Sequence, residues 1–299
     1  MNSKLVKLLL FSSVCLIWGT TWFAMEVVLY SIPPIFATAL RFLFASPILI
    51  ILTKSLGQPL IFPIRKIHWL LVVSLLYFSI PFTLMIYGEQ YISSGLASII
   101  FANMPVAIMA ISVVLNGLKL RVHQVLGLLF AIVSLCMILN NEMDISGTNY
   151  LIGIASLVLA VLMHAVMYVL VQKNCKDVGV LTYNALPCLI ASIFLFFVSA
   201  YFENVDFSVM ALDSLFAVLY LGLVAGVGGI VAYFKLGQMS TPFQASLCFL
   251  IFPLIALSIS AYMQGDKITH QSEILLIPLF FGMLLTKVTS FPLLSDLRK

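Results

Sequence analysis

The sequence predicts an all-α integral membrane protein of ten transmembrane helices, arranged as two inverted five-helix repeats. Three observations carry that reading. Of 299 residues, 63% are hydrophobic and 9% charged, with a mean hydropathy of +1.16, whereas a water-soluble domain carries about 25% charged residues. Apolar stretches recur about every 30 residues, which leaves no room for a soluble domain between them. Lys and Arg fall almost wholly on alternate connections.

A helix crosses the hydrocarbon core with about 20 apolar residues, and ten segments qualify: 5–28, 34–52, 69–88, 92–115, 122–140, 150–172, 181–201, 213–234, 242–262 and 273–292. These runs lack the alternating polarity of membrane β-strands. The first follows Lys4 and Lys7 like a secretory signal, but its apolar run continues to Val28 with no small-residue cleavage site, which predicts a retained helix. Within it, Trp18, Thr21 and Trp22 share one face, suited to an aromatic cavity or to packing, and Glu26 follows. The second segment contains Arg41, expected to bind Glu26 or a helix carbonyl.

The third segment carries Tyr77 and the fourth carries Asn103 two residues before Pro105. Pro105 removes a helix hydrogen bond, so it bends the helix or shapes a cavity beside it. The fifth ends in Asn140-Asn141-Glu142-Met143-Asp144, which is expected to be a solvated turn. The sixth places His164 and Tyr168 on one face. A histidine at mid-depth either binds substrate, relays a proton or hydrogen-bonds between helices. The eighth holds Tyr233 and a Gly222-x-x-x-Gly226 spacing that suits close helix packing. The ninth opens on Gln244 and contains Pro253.

With the N-terminus inside, 13 of the 15 Lys and Arg fall on the inner side: Lys4, Lys7, Lys54, Arg65, Lys66, Lys119, Arg121, Lys173, Lys176, Lys235, Lys287, Arg298 and Lys299. Only Lys267 lies outside, and Glu26, Glu89, Glu142, Asp144, Glu203, Asp206, Asp213, Asp266 and Glu273 collect there. By the positive-inside rule both termini are cytoplasmic in a multi-pass protein of the cell inner (plasma) membrane. The net charge of +4 is then a feature of the inner leaflet, and nucleic acid drops out as a partner.

Sliding the chain by 148 positions lays Ala97-Ser98, Phe101 and Pro105 on Ala245-Ser246, Phe249 and Pro253. It also lays Gly117-x-Lys119-Leu120 on Gly265-x-Lys267-Ile268. Residues 1–145 and 146–299 therefore form two five-helix halves. Five spans per half invert the second against the first, and such repeats set a substrate site near the midplane between them.

The run Leu16-Ile17-Trp18-Gly19-Thr20-Thr21-Trp22-Phe23-Ala24 resembles the WG[ST]xF opening of EamA-type members of the drug/metabolite transporter superfamily. Pro34 followed by Ala39-Leu40-Arg41-Phe42 resembles that family's second helix. Ala97 to Pro105, followed by Gly117-Leu118-Lys119-Leu120, resembles its fourth helix and the turn after it. Leu118 stands where an acidic residue is usual, although Asp266 keeps it in the second copy, and His164-Ala165 replaces Trp-Ala. The resemblance covers about residues 8 to 292. It implies export, or sometimes import, of amino acids, other metabolites or toxic compounds by alternating access. The buried polar groups themselves leave two energetic schemes open, flow down the substrate gradient and exchange for a proton through Glu26 or His164.

The expected substrate contacts are Trp18, Thr21, Trp22, Tyr77, Asn103, His164, Tyr168, Tyr233 and Gln244. Glu26 and Arg41 are coupling or structural groups, and Pro105 and Pro253 bend their helices. The expected partners are a small-molecule substrate, membrane lipid and protons, the chain acting as a monomer. No metal or other cofactor is expected: His, Cys and carboxylates do not fall at ligand spacing, and the five cysteines lie in or beside apolar stretches. No phosphate loop, nucleophile elbow or H-E-x-x-H helix is present. A membrane-embedded enzyme acting on a lipid and a non-transporting scaffold are the competing classes. The absent motifs weigh against the first, and the repeat with its buried polar groups weighs against the second.

Overall fold

A computed structural model of the chain describes residues 3–146, 149–240, 242–263, 265 and 267–287. Ten long helices follow one another: α1 (Ser3–Leu29), α2 (Pro34–Ser55), α3 (Ile64–Gly88), α4 (Ser94–Asn116), α5 (Val122–Ser146), α6 (Tyr150–Asn174), α7 (Val180–Phe202), α8 (Leu212–Met239), α9 (Gln244–Met263) and α10 (His270–Lys287). Each predicted segment coincides with one helix. Among the described residues α1 to α9 are long and apolar enough to cross a membrane, and α10 opens on the polar His270, Gln271 and Glu273. Asp266, Arg298, Lys299 and the predicted end of the tenth segment beyond Lys287 lie outside the described residues.

The packing follows the repeat. The helix α2 lies against α7, α5 against α10, and α4 against α9, each pair joining equivalent helices of the two halves. Pairs that are not self-equivalent have counterparts. The packing of α1 on α8 and α9 is matched by that of α6 on α3 and α4, and α2 on α8 is matched by α7 on α3. Exchanging the halves thus returns each of these pairings, as a pseudo-two-fold axis requires.

A second sign of duplication is absent from the residue matches. The helix α3 widens into a π-type turn over Ser74–Ser79, and α8 does so over Leu221–Gly228. Shifted by 148, the first falls on residues 222–227, inside the second. The local causes differ. Pro81 follows the first widened turn and lacks an amide N–H. The second is rich in glycine, and a Cβ on Gly222 would lie 2.8 Å from the Arg41 carbonyl oxygen, so α8 and α2 touch backbone to backbone there. Such wide turns often mark functional sites.

Lipid tails are as apolar as leucine, so burial of apolar surface contributes little between helices. Close contact and polar bonds hold the bundle instead. Gly127 of α5 and Gly282 of α10 cross so closely that a Cβ on either would sit 2.6 Å from the other's carbonyl oxygen. Ser192 donates to the Ala39 carbonyl at 2.8 Å, and Ser214 to that of Val27 at 2.7 Å. Bonds of this kind contribute about 0.6 kcal/mol each.

Two acidic residues do more than mark topology. Glu203, at the end of α7, accepts from the amides of Ile35 and Phe36, at 2.8 Å each, in the first turn of α2. Glu142 accepts from the amide and hydroxyl of Thr269, at 2.9 Å each, just before α10. The expected solvated turn at Asn140–Asp144 is therefore corrected: α5 continues to Ser146, and Glu142 is buried. A carboxylate set against exposed amides at a helix N-terminus is favoured by bonding and by the dipole together. The two clasps are formed by equivalent pairs, α7 on α2 and α5 on α10, and both cross between the halves.

Candidate functional site

Two side-chain clusters occupy the bundle interior, and each is built around one member of the matched pair Phe101 and Phe249. In the first, Phe101 of α4 lies 5.4 Å from Trp22 of α1 and 5.7 Å from His164 of α6. Tyr77 and Phe82 of α3 stand edge-on to the same imidazole, at 5.0 Å each. The imidazole is thus boxed in by three rings and is 2% exposed. Its Nδ1 lies 3.0 Å from the Ala160 carbonyl one turn earlier. A carbonyl only accepts, so Nδ1 carries the proton. Nε2 faces the ring box, buried and without a hydrogen-bond partner.

Other buried polar atoms of the bundle are also unsatisfied. Asn103 spends its amide on the Ile99 carbonyl at 2.9 Å and leaves Oδ1 buried and unbonded. The Tyr183 hydroxyl of α7 is likewise buried without a partner, with its ring 5.2 Å from that of Tyr77. Most buried polar atoms in native proteins are bonded, so several together inside one bundle suit a ligand that supplies the missing partners.

In the second cluster Phe249 of α9 meets Trp18 of α1 at 5.5 Å. Trp18 also meets Tyr233 of α8 at 4.9 Å and Phe252 at 6.3 Å. Lys287 of α10 holds its ammonium 5.5 Å from the centre of the Phe249 ring, a cation–π distance. The surface here is apolar and aromatic, with one cation at its edge.

The remaining expected residues are distributed between and beyond these clusters. Thr21 is buried and donates to the Ile17 carbonyl at 2.7 Å, so its hydroxyl is already used. Tyr168 is 38% exposed, within electrostatic reach of Tyr77 and Tyr233. Gln244 is exposed at the start of α9. Arg41 was expected to bind Glu26 or a helix carbonyl, and both Glu26 and Arg41 act on Glu89. Its guanidinium stacks 4.8 Å over Phe82 and reaches the Met25 sulfur at 3.8 Å, with Glu89 in its electrostatic field.

The two prolines are not placed alike. The helix α4 is interrupted at Asn103, and Pro105 sits in the first turn after the break, where a missing amide costs nothing. Pro253 lies inside an unbroken helix from Cys248 to Met263, and the interruption in α9 comes earlier, at Leu247.

Sequence reasoning passed over Phe82, Tyr183, Glu89 and the role of Lys287. Phe82 and Tyr183 are unremarkable in so apolar a chain. Glu89 was counted with the outer charges and Lys287 with the inner ones because both lie near segment ends. The shared 148-residue offset of Phe101 and Phe249 was the available signal, and it points to both clusters.

Comparisons with known proteins agree with this architecture. The model of the EamA-like transporter family matches residues 5–140 and, a second time, residues 151–288. The protein PagO of Salmonella typhimurium is 46% identical, with 97% of this chain and 96% of that one covered. An uncharacterized transporter of Buchnera aphidicola subsp. Schizaphis graminum is 42% identical, covering 95% of each chain. The uncharacterized inner membrane transporter YedA of Escherichia coli K12 is 24% identical over 92% of this chain and 89% of that one. A solved crystal structure superposes with a TM-score of 0.67 at 17% identity, covering 97% of this chain and 98% of the other, which is a likeness of fold.

Proposed function

The chain belongs to the EamA-like transporter family, and from that premise we propose that it exports a small amphipathic metabolite, an amino acid or an aromatic compound, by alternating access. The observation that carries this reading is the pairing of the two clusters. An aromatic surface formed by Trp18, Tyr233 and Phe249 takes the apolar part of such a molecule, and Lys287 attracts its anionic group. The open bonding positions on His164, Asn103 and Tyr183 orient its polar groups. Sugars are poorly served by so apolar a lining, and inorganic ions find no ring of oxygen ligands in it.

The charge pattern supports an inner (plasma) membrane location with both termini cytoplasmic, and the inner membrane appears in the name of the related YedA protein. A chain that carries both halves has the two sides of a transport pathway and serves as a monomer.

The test is reconstitution into liposomes with a panel of labelled metabolites. Movement of one class of amphipathic compound, reduced in His164→Ala and Trp18→Ala, is the expected result. A pure, folded protein that moves no member of a broad panel yet turns over a lipid would end the proposal.

A further inference from the structure

Glu89, just past the end of α3, is 6% exposed, and both carboxyl oxygens are buried without a hydrogen-bond partner. It follows Gly88, which packs against α6 so closely that an added Cβ would lie 3.1 Å from the Gly153 carbonyl oxygen.

The charged groups acting on Glu89 are Glu26 from α1 and Arg41 from α2. Tyr87 and Tyr91 stand on its own stretch and hydrogen-bond each other at 3.1 Å. From α6, the acidic neighbour of Tyr150 is Glu142, and the charged neighbour of His164 is Arg41. Arg41 is itself 6% exposed.

Two carboxylates and one guanidinium carry a net charge of −1 when all are ionised, and none when one carboxyl holds a proton. An unpaired ion in such a place is disfavoured by several kcal/mol. Burial first, and then Glu26, push the Glu89 carboxyl well above the usual carboxylate range, with Arg41 drawing it back. Glu26 is half-buried, whereas Glu89 is 6% exposed, so the carboxyl that is costlier to ionise is Glu89. A metal ion or an amine would need a cavity beside the carboxyl, whereas a proton occupies no volume.

We propose that Glu89 is the proton-carrying group of this transporter, loaded in the closed bundle and unloaded when the helices around it part. On opening, the carboxyl O–H bond breaks, the proton passes to water, and the carboxylate left behind is held by Arg41. On reloading, a hydronium ion returns the proton to the same oxygen. Exchange of this proton for substrate rests on the transport reading above, whereas the proton on Glu89 does not.

The experiment uses the full chain in proteoliposomes and reads two signals. Infrared difference spectra across neutral pH are expected to contain a protonated-carboxyl band that is lost in Glu89→Gln and kept in Glu89→Asp. Glu26→Gln is expected to move its midpoint down by about one pH unit, and Arg41→Gln to move it up. Identical spectra for the native protein and Glu89→Gln would overturn the proposal, whatever the transport result.

For a labelled metabolite that the native protein moves, Glu89→Gln is expected to lower accumulation driven by a pH gradient roughly tenfold while leaving counterflow exchange within about twofold. Unaltered pH-driven accumulation in a Glu89→Gln protein of native circular dichroism would remove the coupling role. A native protein that moves nothing refutes the transport reading alone, and the band still decides whether Glu89 holds a proton.

Discussion

Phe101 and Phe249 occupy the same position in the two halves, yet their surroundings have diverged. Around Phe101 stand His164 and, across Phe82, Arg41 with Glu89 in its electrostatic field, all buried, and His164 and Glu89 have open bonding positions. Around Phe249 stand aromatic rings and the lysine of α10, with no unbonded buried atom on Trp18, Tyr233 or Lys287. Duplication supplied one scaffold twice, and substitution gave one copy charge and hydrogen bonding and the other copy apolar recognition. The difference teaches that symmetry in the backbone need not extend to the chemistry.

The largest expected effect separates the two cations. Arg41→Ala leaves the half-buried carboxylate of Glu26, beside a Glu89 that holds its proton, without the compensating charge, and removing one member of such a group costs about 3 kcal/mol. Lys287→Ala exposes no buried partner and costs less than about 1 kcal/mol. Thermal unfolding in detergent, followed by tryptophan fluorescence, checks both. Adding Glu26→Gln to Arg41→Ala should recover at least half of the loss, since the two sites share one charge balance, whereas adding Glu89→Gln should recover little. Equal losses at Arg41 and Lys287 would erase the distinction between the clusters.

The next effect concerns transport. His164→Phe fills the ring box but removes Nε2, and one lost bond to substrate lowers the rate roughly tenfold to a hundredfold. Trp18→Phe keeps an aromatic face and lowers it about threefold. Lys287→Gln is expected to raise KM about tenfold for substrates bearing a carboxylate and to leave neutral analogues unchanged. Initial rates in liposomes over a concentration series measure all three. A uniform rise across charged and neutral substrates would show that Lys287 acts by shape and not by charge.

The helices themselves were legible because the bilayer imposes their length and apolar content. All ten segments coincide with helices, and the repeat was legible through Phe101, Pro105 and their partners. The interior was legible only in part. His164 and Trp18 stood out as polar or large groups within apolar runs, and each lies in a cluster. Glu89 did not, because a carboxylate one residue past a helix end normally meets water. Its burial is set by tertiary packing, in a region where Gly88 meets Gly153 of a helix more than sixty residues away, and hydropathy cannot register such contacts. The partners of Glu142 and Glu203 were hidden for the same reason, since each clasps a helix from the other half.

The smallest expected effect lies in the prolines. Pro105 stands in the first turn after the break at Asn103, where no amide is needed, so Pro105→Ala should change stability by less than about 0.5 kcal/mol and leave transport near native. Pro253 stands inside a continuous helix, and its missing amide would otherwise bond the Phe249 carbonyl one turn earlier. Pro253→Ala supplies that bond, straightens α9 and moves Phe249 relative to Trp18 and Lys287. Stability should rise by about 1 kcal/mol, and transport should fall about threefold, because the aromatic surface is fixed in one position. If instead Pro105→Ala changes transport and Pro253→Ala does not, then the flexible element belongs to the polar half, and it is the Phe101 cluster that moves while the Phe249 cluster stays fixed.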